Sequence, residues 1–161
     1  MLAQYAVRPG IRVLPLLVGA YIEPMRTGKL PEDSPALRNV FRTLRVLADE
    51  EKRNLVWLLS VDMAHMGRRY GDEFSATALT GKMAEVEDLD RARVAMLGKG
   101  DAGCFWRDVN ARDTELKWCG SSTLYTFTKV YPEACAHLLS YQQWNIDPQS
   151  VVSFGTLAFV R

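Results

Sequence analysis

The chain has 161 residues, of which 48% are hydrophobic and 24% are charged, an ordinary composition for a single globular domain. Twenty lysines and arginines against nineteen aspartates and glutamates leave a formal charge of +1, which gives no electrostatic case for a nucleic-acid or membrane-surface partner. No apolar run approaches the roughly 20 residues of a membrane span, and the first residues do not follow a signal-peptide layout. We therefore expect a cytoplasmic location.

Two short apolar runs are interpreted as buried strands. The first, residues 11–20, reads IRVLPLLVGA, and the second extends from Leu55 to Ser60. Runs that are apolar at nearly every position are typical of strands covered by helices on both faces. The Pro- and Gly-rich segment 23–35 between them is predicted to be a loop.

The remaining segments are predicted to form four helices and a closing pair of strands. Apolar residues three and four positions apart, and glycines after the last of them, are the signals for helices. The predicted helices cover 36–51, about 83–97, a short stretch around 101–112, and a segment that begins near Cys119–Gly120 with Ser121 or Ser122 as its cap. The two strands, 137–144 and 150–160, are expected to pair with each other.

Alternating strands and helices predict an α/β fold, with one sheet between layers of helices and a single domain over residues 1–161. About four strands are predicted, slightly fewer than most sheets have. The first predicted strand also begins close to Met1. We therefore expect the N-terminal part of a larger domain to be missing, with self-association through an unpaired sheet edge as one consequence.

The three cysteines, Cys104, Cys119 and Cys135, form no C-x-x-C pair, which argues against a zinc knuckle or a thioredoxin motif. We expect free thiols, as in a reducing compartment. Cys104 and Cys135 are interpreted as small buried hydrophobic side chains. His137, in a strand-like stretch, is interpreted as structural.

The candidate site combines Asp62, His65 and Cys119. Asp62 and His65 directly follow the second predicted strand, at the type of strand end where α/β proteins bind ligands. An acid near a histidine can prepare the imidazole to act as a general base or a metal ligand. Cys119 precedes a predicted helix, whose free N–H groups favour a thiolate that serves as a nucleophile or a metal ligand. A Cys–His–Asp triad and purely structural roles remain open alternatives, since a D-x-x-H pair often occurs by chance.

A series of motifs resembles the Memo-like family, which includes the bacterial AmmeMemoRadiSam system protein B. In chain order these are VDMAHMGRRYGD, Asp90, GKGDAGCF, WCGSSTLYTF, HLLSY and SVVSFGTLAF. The most specific are the D-x-x-H-x-G that contains Asp62 and His65, and the Cys119–Gly120 pair. The resemblance covers nearly the whole chain, but only the C-terminal part of the family's domain.

The resemblance implies a three-layer α/β sandwich with a mixed central sheet, similar to class III extradiol dioxygenases. It also implies a pocket that holds iron or copper, with Cys119 as a metal ligand and His65 and Asp62 beside it. The family's two other histidines would lie upstream of residues 11–20, in a region this chain lacks, so we expect weak metal binding or none. A radical SAM protein and an AMMECR-type protein are the partners the resemblance implies.

Three functions follow as hypotheses. The first is a Memo-like metal-binding protein, redox-related and of unknown reaction, in which His65 and Cys119 bind the metal. The second is a non-haem iron enzyme of the dioxygenase type, with Asp62 and His65 as catalytic residues; the chain offers no convincing pair of histidines and a carboxylate for it. The third is a module that binds a peptide or a protein without chemistry.

Overall fold

The computed structural model describes residues 10–51 and 54–160. It contains six α-helices and three strands in these ranges. None of these helices combines the length and the hydropathy that a membrane span requires. The helices are α1 (Ile22–Thr27), α2 (Pro35–Glu51), α3 (Lys82–Leu97), α4 (Ala102–Ala111), α5 (Asp113–Leu116) and α6 (Ser121–Val130), and the strands are β1 (His65–Gly67), β2 (Cys135–Asp147) and β3 (Ser150–Val160).

The three strands form one antiparallel sheet in the order β1-β3-β2. β2 and β3 pair from Cys135↔Val160 to Asp147↔Ser150, which confirms the predicted pairing of the last two segments. β1 pairs with the other edge of β3, with His65 opposite Val152. Mixed helix and sheet confirm the α/β class at this coarse level, while the expected mixed sheet is not observed in the described part of the chain.

The four longer helices match the helices predicted from hydrophobic spacing, with starts within about one residue for α2 and α3. In α2 the apolar face turns inward, and Phe41 and Ala48 are buried. Asp101 caps α4 by accepting a hydrogen bond from the Cys104 backbone N–H at 2.7 Å. Segment 23–35, predicted to be a loop, instead contains α1 and a 3₁₀ turn, Pro31–Asp33. The prediction failed there because a proline is tolerated in the first turn of a helix, and Gly28 ends α1 in the left-handed conformation at φ 70°.

The two apolar runs predicted to be buried strands are not strands. Residues 11–20 have no regular secondary structure, and Leu17 is fully exposed. Residues 55–61 alternate between half-buried and exposed, with Leu58 76% exposed. No backbone group of 55–61 bonds to another backbone group within the described ranges. A strand needs a hydrogen-bonded neighbour, and apolar composition alone supplied none for residues 55–61, which border an apolar groove of about 710 Å³.

The main core lies between the sheet and helices α3, α4 and α6. Its largest fully buried side chains include Trp106, Phe105 and Tyr125. The Trp106 indole N–H donates to the Lys29 carbonyl at 3.1 Å, so this ring also attaches the segment after α1 to the core. A smaller cluster around Phe127 packs under residues 55–59.

All three cysteines are free thiols, as expected from the sequence. Cys104 is half-buried, but Cys135 is exposed at the start of β2, so the expectation that Cys135 is a core residue was wrong. His137 is also exposed on β2. Both side chains point away from the core because their strand has only one covered face.

We expect Leu58→Ala to change the free energy of unfolding by less than about 0.5 kcal/mol, as exposed positions usually do. Leu97→Ala, at a fully buried position, should cost about 2–5 kcal/mol because it leaves a cavity. Urea denaturation of both variants measures these free energies. Similar large losses in both would contradict the exposed placement of residues 55–61.

Candidate metal centre

Three hydrogen bonds to Ser153 fix the segment that carries Asp62 and His65. The Met63 N–H donates to the Ser153 carbonyl at 3.0 Å, and the Ser153 N–H donates to the Ala64 carbonyl at 2.9 Å. The Ala64 N–H donates to the Ser153 Oγ at 2.8 Å. Met63 and Ala64 are thereby buried, while Asp62 is exposed and His65 is half-buried on either side of them.

Gly120 allows the chain around Cys119 to approach this segment. A Cβ atom on Gly120 would lie 2.3 Å from the Cβ of Val61, far inside van der Waals contact. Val61 directly precedes Asp62, so the close approach places the exposed Cys119 next to Asp62. The glycine of the Cys-Gly pair is therefore required by packing.

Helix α6 begins where the sequence predicts it, but no serine caps it. Gly120 occupies the N-cap position, with no side-chain hydrogen bond. The Ser121 hydroxyl donates to the Trp118 carbonyl at 2.8 Å, and the Ser122 Oγ accepts from the Tyr21 N–H at 3.2 Å. The capping prediction was wrong because both side chains bond other segments.

The structure brings together all three residues of the predicted site. One ligand atom from each of Asp62, His65 and Cys119 lies within 4.8 Å of the other two. The His65 Nε2 is 3.6 Å from the Asp62 Oδ2. The ligand atoms around a tetrahedral zinc-sized ion lie about 3.5 Å apart. Small side-chain rotations would therefore bring the three atoms to bonding positions.

Two backbone carbonyls determine which nitrogen of His65 faces the cluster. Nδ1 lies 3.1 Å from the Met63 oxygen and 3.1 Å from the Lys117 oxygen. Carbonyl oxygens only accept hydrogen bonds, so Nδ1 carries a proton, and Nε2 is the nitrogen that has the lone pair whenever the imidazole is neutral. A donor bond from the other ring nitrogen is the usual way to orient a metal-binding histidine.

The same geometry does not fit a Cys–His–Asp triad. In a triad the acid bonds one ring nitrogen, and the other nitrogen takes the proton of the nucleophile. Here Asp62 lies at Nε2, the nitrogen that would have to accept the thiol proton of Cys119. Nδ1 already donates to carbonyls. The cluster therefore favours metal binding over nucleophilic catalysis.

Sequence reasoning missed three residues that support the site. Asp72 accepts a hydrogen bond from the Gly67 N–H at 2.8 Å and pairs with the Lys117 ammonium at 2.6 Å. This pair fixes Lys117, whose backbone has φ 53° and whose carbonyl orients His65. Tyr70 packs edge-on against the His65 ring at a centroid distance of 5.0 Å. Asp72 and Tyr70 stand close after the D-x-x-H motif, but no sequence pattern indicated Lys117.

Tyr70, beside the cluster, has a pKa raised above its ordinary value. Partial burial is the main cause, Arg69 opposes it, and the carboxylates of Asp147 and Asp62 raise the pKa further. A phenol with a raised pKa stays protonated at neutral pH. Tyr70 can therefore donate a hydrogen bond beside the cluster.

The three donors supply one nitrogen, one sulfur and one oxygen and leave the solvent side open. Three protein ligands with open positions are typical of catalytic rather than structural metal sites. Thiolate and imidazole suit copper, iron and zinc better than calcium or magnesium. No protein-family model and no curated protein matches the chain, so the argument for a metal centre depends on this geometry.

Gly120→Ala should lower the free energy of unfolding by about 1–3 kcal/mol, because the added methyl overlaps Val61 and forces the chain to shift. Gly19→Ala is the matched control, since nothing lies within 4 Å of its Cβ position. Thermal and urea unfolding measure both. A Gly120→Ala variant as stable as Gly19→Ala would refute the close approach of Gly120 to Val61.

Proposed function

We propose that the chain is a Memo-like metal-binding protein whose centre consists of His65, Cys119 and Asp62. The observation that carries the proposal is the convergence of these side chains, with their ligand atoms within 4.8 Å. Cys119 is 54 positions beyond His65 in the chain (119 minus 65), so sequence proximity does not explain its place in the cluster.

Two features support a metal site over a chance cluster of surface groups. The His65 ring is held at Nδ1 by the Met63 and Lys117 carbonyls, so Nε2 is already oriented toward the other donors. A glycine that packs on Val61 brings Cys119 into reach. Ordered ligands lose less conformational entropy when a metal binds than mobile surface side chains do.

The donor set fits iron or copper. His65 would bind through Nε2 and Cys119 through its thiolate, and Asp62 would bind or accept a proton at its carboxylate. Such an ion supplies Lewis-acid or one-electron redox chemistry at its open positions. Both His65 and Cys119 must be deprotonated to bind, so affinity should fall as the pH falls.

The resemblance to the Memo-like family also implies a fold similar to class III extradiol dioxygenases. It implies two further histidines, upstream of residues 11–20, as well. We include the fold and these histidines in the proposal. Within this chain the other histidine, His137, is exposed on β2 and does not join the cluster. The chain alone therefore offers one imidazole, and we expect weaker binding than a site with three histidines would give. A radical SAM protein and an AMMECR-type protein are the partners that we propose with it.

The dioxygenase-type alternative is less well supported than metal binding. Non-haem iron oxygenases use two histidines and one carboxylate on one face of the ion. The described residues supply His65 and Asp62 but replace the second histidine by Cys119. In this alternative Asp62 and His65 would be the catalytic residues beside an ion held by the Cys119 thiolate.

Anaerobic titration of the reduced protein with Fe²⁺, and with Co²⁺ as a spectroscopic substitute, tests the proposal. We expect one ion per chain and a thiolate-to-cobalt charge-transfer band. Cys119→Ala should abolish this band, and both Cys119→Ala and His65→Ala should raise the dissociation constant by at least about 100-fold, beyond the 10–100-fold typical of outer-shell changes.

Matched controls are Cys135→Ala and His137→Ala, because both side chains are exposed and lie outside the cluster. They should bind cobalt with the affinity of the unsubstituted protein. A protein that binds no Co²⁺ or Fe²⁺ at millimolar concentration would contradict the proposed function. Binding that disappears in the controls rather than in the cluster variants would place the metal elsewhere.

A further inference from the structure

A buried carboxylate lies behind the proposed metal centre. Asp90, on α3, is fully buried. It accepts hydrogen bonds from the Trp118 indole N–H at 2.7 Å, the Tyr141 hydroxyl at 2.8 Å and the Ser153 hydroxyl at 2.5 Å. We refer to these four residues as the Asp90 network.

The first bond of the Asp90 network fixes the segment that carries Cys119. Trp118 directly precedes Cys119 and directly follows Lys117, whose carbonyl orients His65. Its ring is fixed at the edge by Asp90, and the guanidinium of Arg93 lies 5.0 Å from the ring centroid. Trp118 is 4% exposed, so Asp90 is the hydrogen-bond partner of a ring that has little room to move.

The bond from the Ser153 hydroxyl fixes the segment that carries His65. The Ser153 hydroxyl donates to Asp90 and, through the same oxygen, accepts from the Ala64 N–H at 2.8 Å. Ala64 lies between Met63, whose carbonyl is the other partner of the His65 Nδ1, and His65 itself. Asp90 therefore bonds directly to the Lys117–Cys119 segment through Trp118, and it reaches the Asp62–His65 segment through Ser153. These two segments supply the three ligands and both carbonyls that orient the imidazole.

The bond from the Tyr141 hydroxyl does not lead to a segment that carries a metal ligand. Tyr141 lies on β2, donates to Asp90, and accepts from the Gln143 side-chain amide at 2.9 Å. Gln143 in turn donates to the Met83 carbonyl at 2.8 Å. This branch attaches β2 to α3 and bonds no ligand segment, although the Tyr141 and Ser153 hydroxyls share the Oδ2 atom of Asp90. It therefore serves as the control for loss of one hydrogen bond to Asp90 that does not lead to a ligand.

We propose that Asp90 is a positioning residue of the metal centre, which sets the separation of His65 and Cys119 through Ser153 and Trp118. The proposal depends on the proposed metal-binding function for its metal readout, but its geometric part can be tested in the metal-free protein. Deep burial of a carboxylate is costly unless donors surround it. Burial raises the pKa of Asp90, while the bonds from Ser153, Trp118 and Tyr141 and the charge of Arg93 oppose the rise.

Three variants separate positioning from general stability. Asp90→Asn keeps the size of the side chain but replaces one acceptor oxygen by a donor. Ser153→Ala removes the side-chain bonds of Ser153 to Asp90 and Ala64 and keeps its backbone bonds to Met63 and Ala64. Tyr141→Phe removes one hydrogen bond of the Asp90 network without touching either ligand segment. Each is titrated with Co²⁺, and unfolding is followed to show that the variants are folded.

The second readout needs no metal. Nitrogen-15 NMR of the imidazole reports which ring nitrogen of His65 carries the proton, and His137→Gln removes the only other histidine signal. In the unsubstituted protein we expect the Nδ1–H form. Asp90→Asn and Ser153→Ala should give a mixture of tautomers, because each weakens the hydrogen bonds that hold a segment carrying a carbonyl acceptor of Nδ1, and Tyr141→Phe should not.

The expected result is a 10–100-fold rise in the cobalt dissociation constant for Asp90→Asn and Ser153→Ala, as for other groups that orient metal ligands, with Tyr141→Phe within about twofold. Unchanged affinity and tautomer in both folded variants would overturn the proposal, as would an equal effect of Tyr141→Phe.

If the unsubstituted protein binds no cobalt, the metal-binding function fails, and the tautomer alone decides the role of Asp90. If Asp90→Asn does not fold, Ser153→Ala compared with Tyr141→Phe gives the answer.

Discussion

The attachment of Met63 and Ala64 to Ser153 is the constraint on which the rest of the site depends. Two backbone hydrogen bonds and one bond to the Ser153 hydroxyl hold this dipeptide against the central strand β3. Because the dipeptide is buried and short, the residues on either side, Asp62 and His65, emerge at the same surface. Every other feature of the candidate centre is arranged around that fixed segment.

The supporting residues act through backbone positions rather than through direct contact with a ligand. Gly120 allows the Cys119 segment to approach Val61, and the ion pair of Asp72 with Lys117 holds a carbonyl that selects the tautomer of His65. Such supports are of the kind that decides whether a set of donors binds a metal, because a misplaced ligand loses affinity quickly. The three donor residues by themselves would not be held in place without these supporting contacts.

Elements defined by local patterns could be predicted from the sequence. The apolar spacing of 36–51 gave helix α2, glycines marked the end of α3, and the adjacent β-rich segments 137–144 and 150–160 gave the β2–β3 pair. The three donors of the candidate site were also named from the sequence, and they lie together in the structure, although the strand predicted to end before Asp62 is not formed. The correctly predicted helices and strands share one cause, which is that their sequence signal lies within a few residues of the element.

The failures have the opposite cause. Whether 11–20 and 55–60 become strands depends on a hydrogen-bonded neighbour elsewhere in the molecule, and apolar composition does not supply one. Whether Ser121 caps α6 depends on competition with the Trp118 carbonyl, and the role of Lys117 depends on a chain fold that brings residues 65 and 117 together. Long-range pairing of this kind leaves no periodic trace in a single sequence.

The central claim is that Asp62, His65 and Cys119 bind one metal ion between them. The most direct measurement is anomalous X-ray diffraction from crystals of the reduced protein grown with excess Co²⁺ or Fe²⁺. The account predicts one anomalous peak about 2.0–2.4 Å from the His65 Nε2 and the Cys119 Sγ, within the range of ordinary metal–ligand bonds. A metal peak at another place on the protein, or no peak at saturating metal, would contradict it.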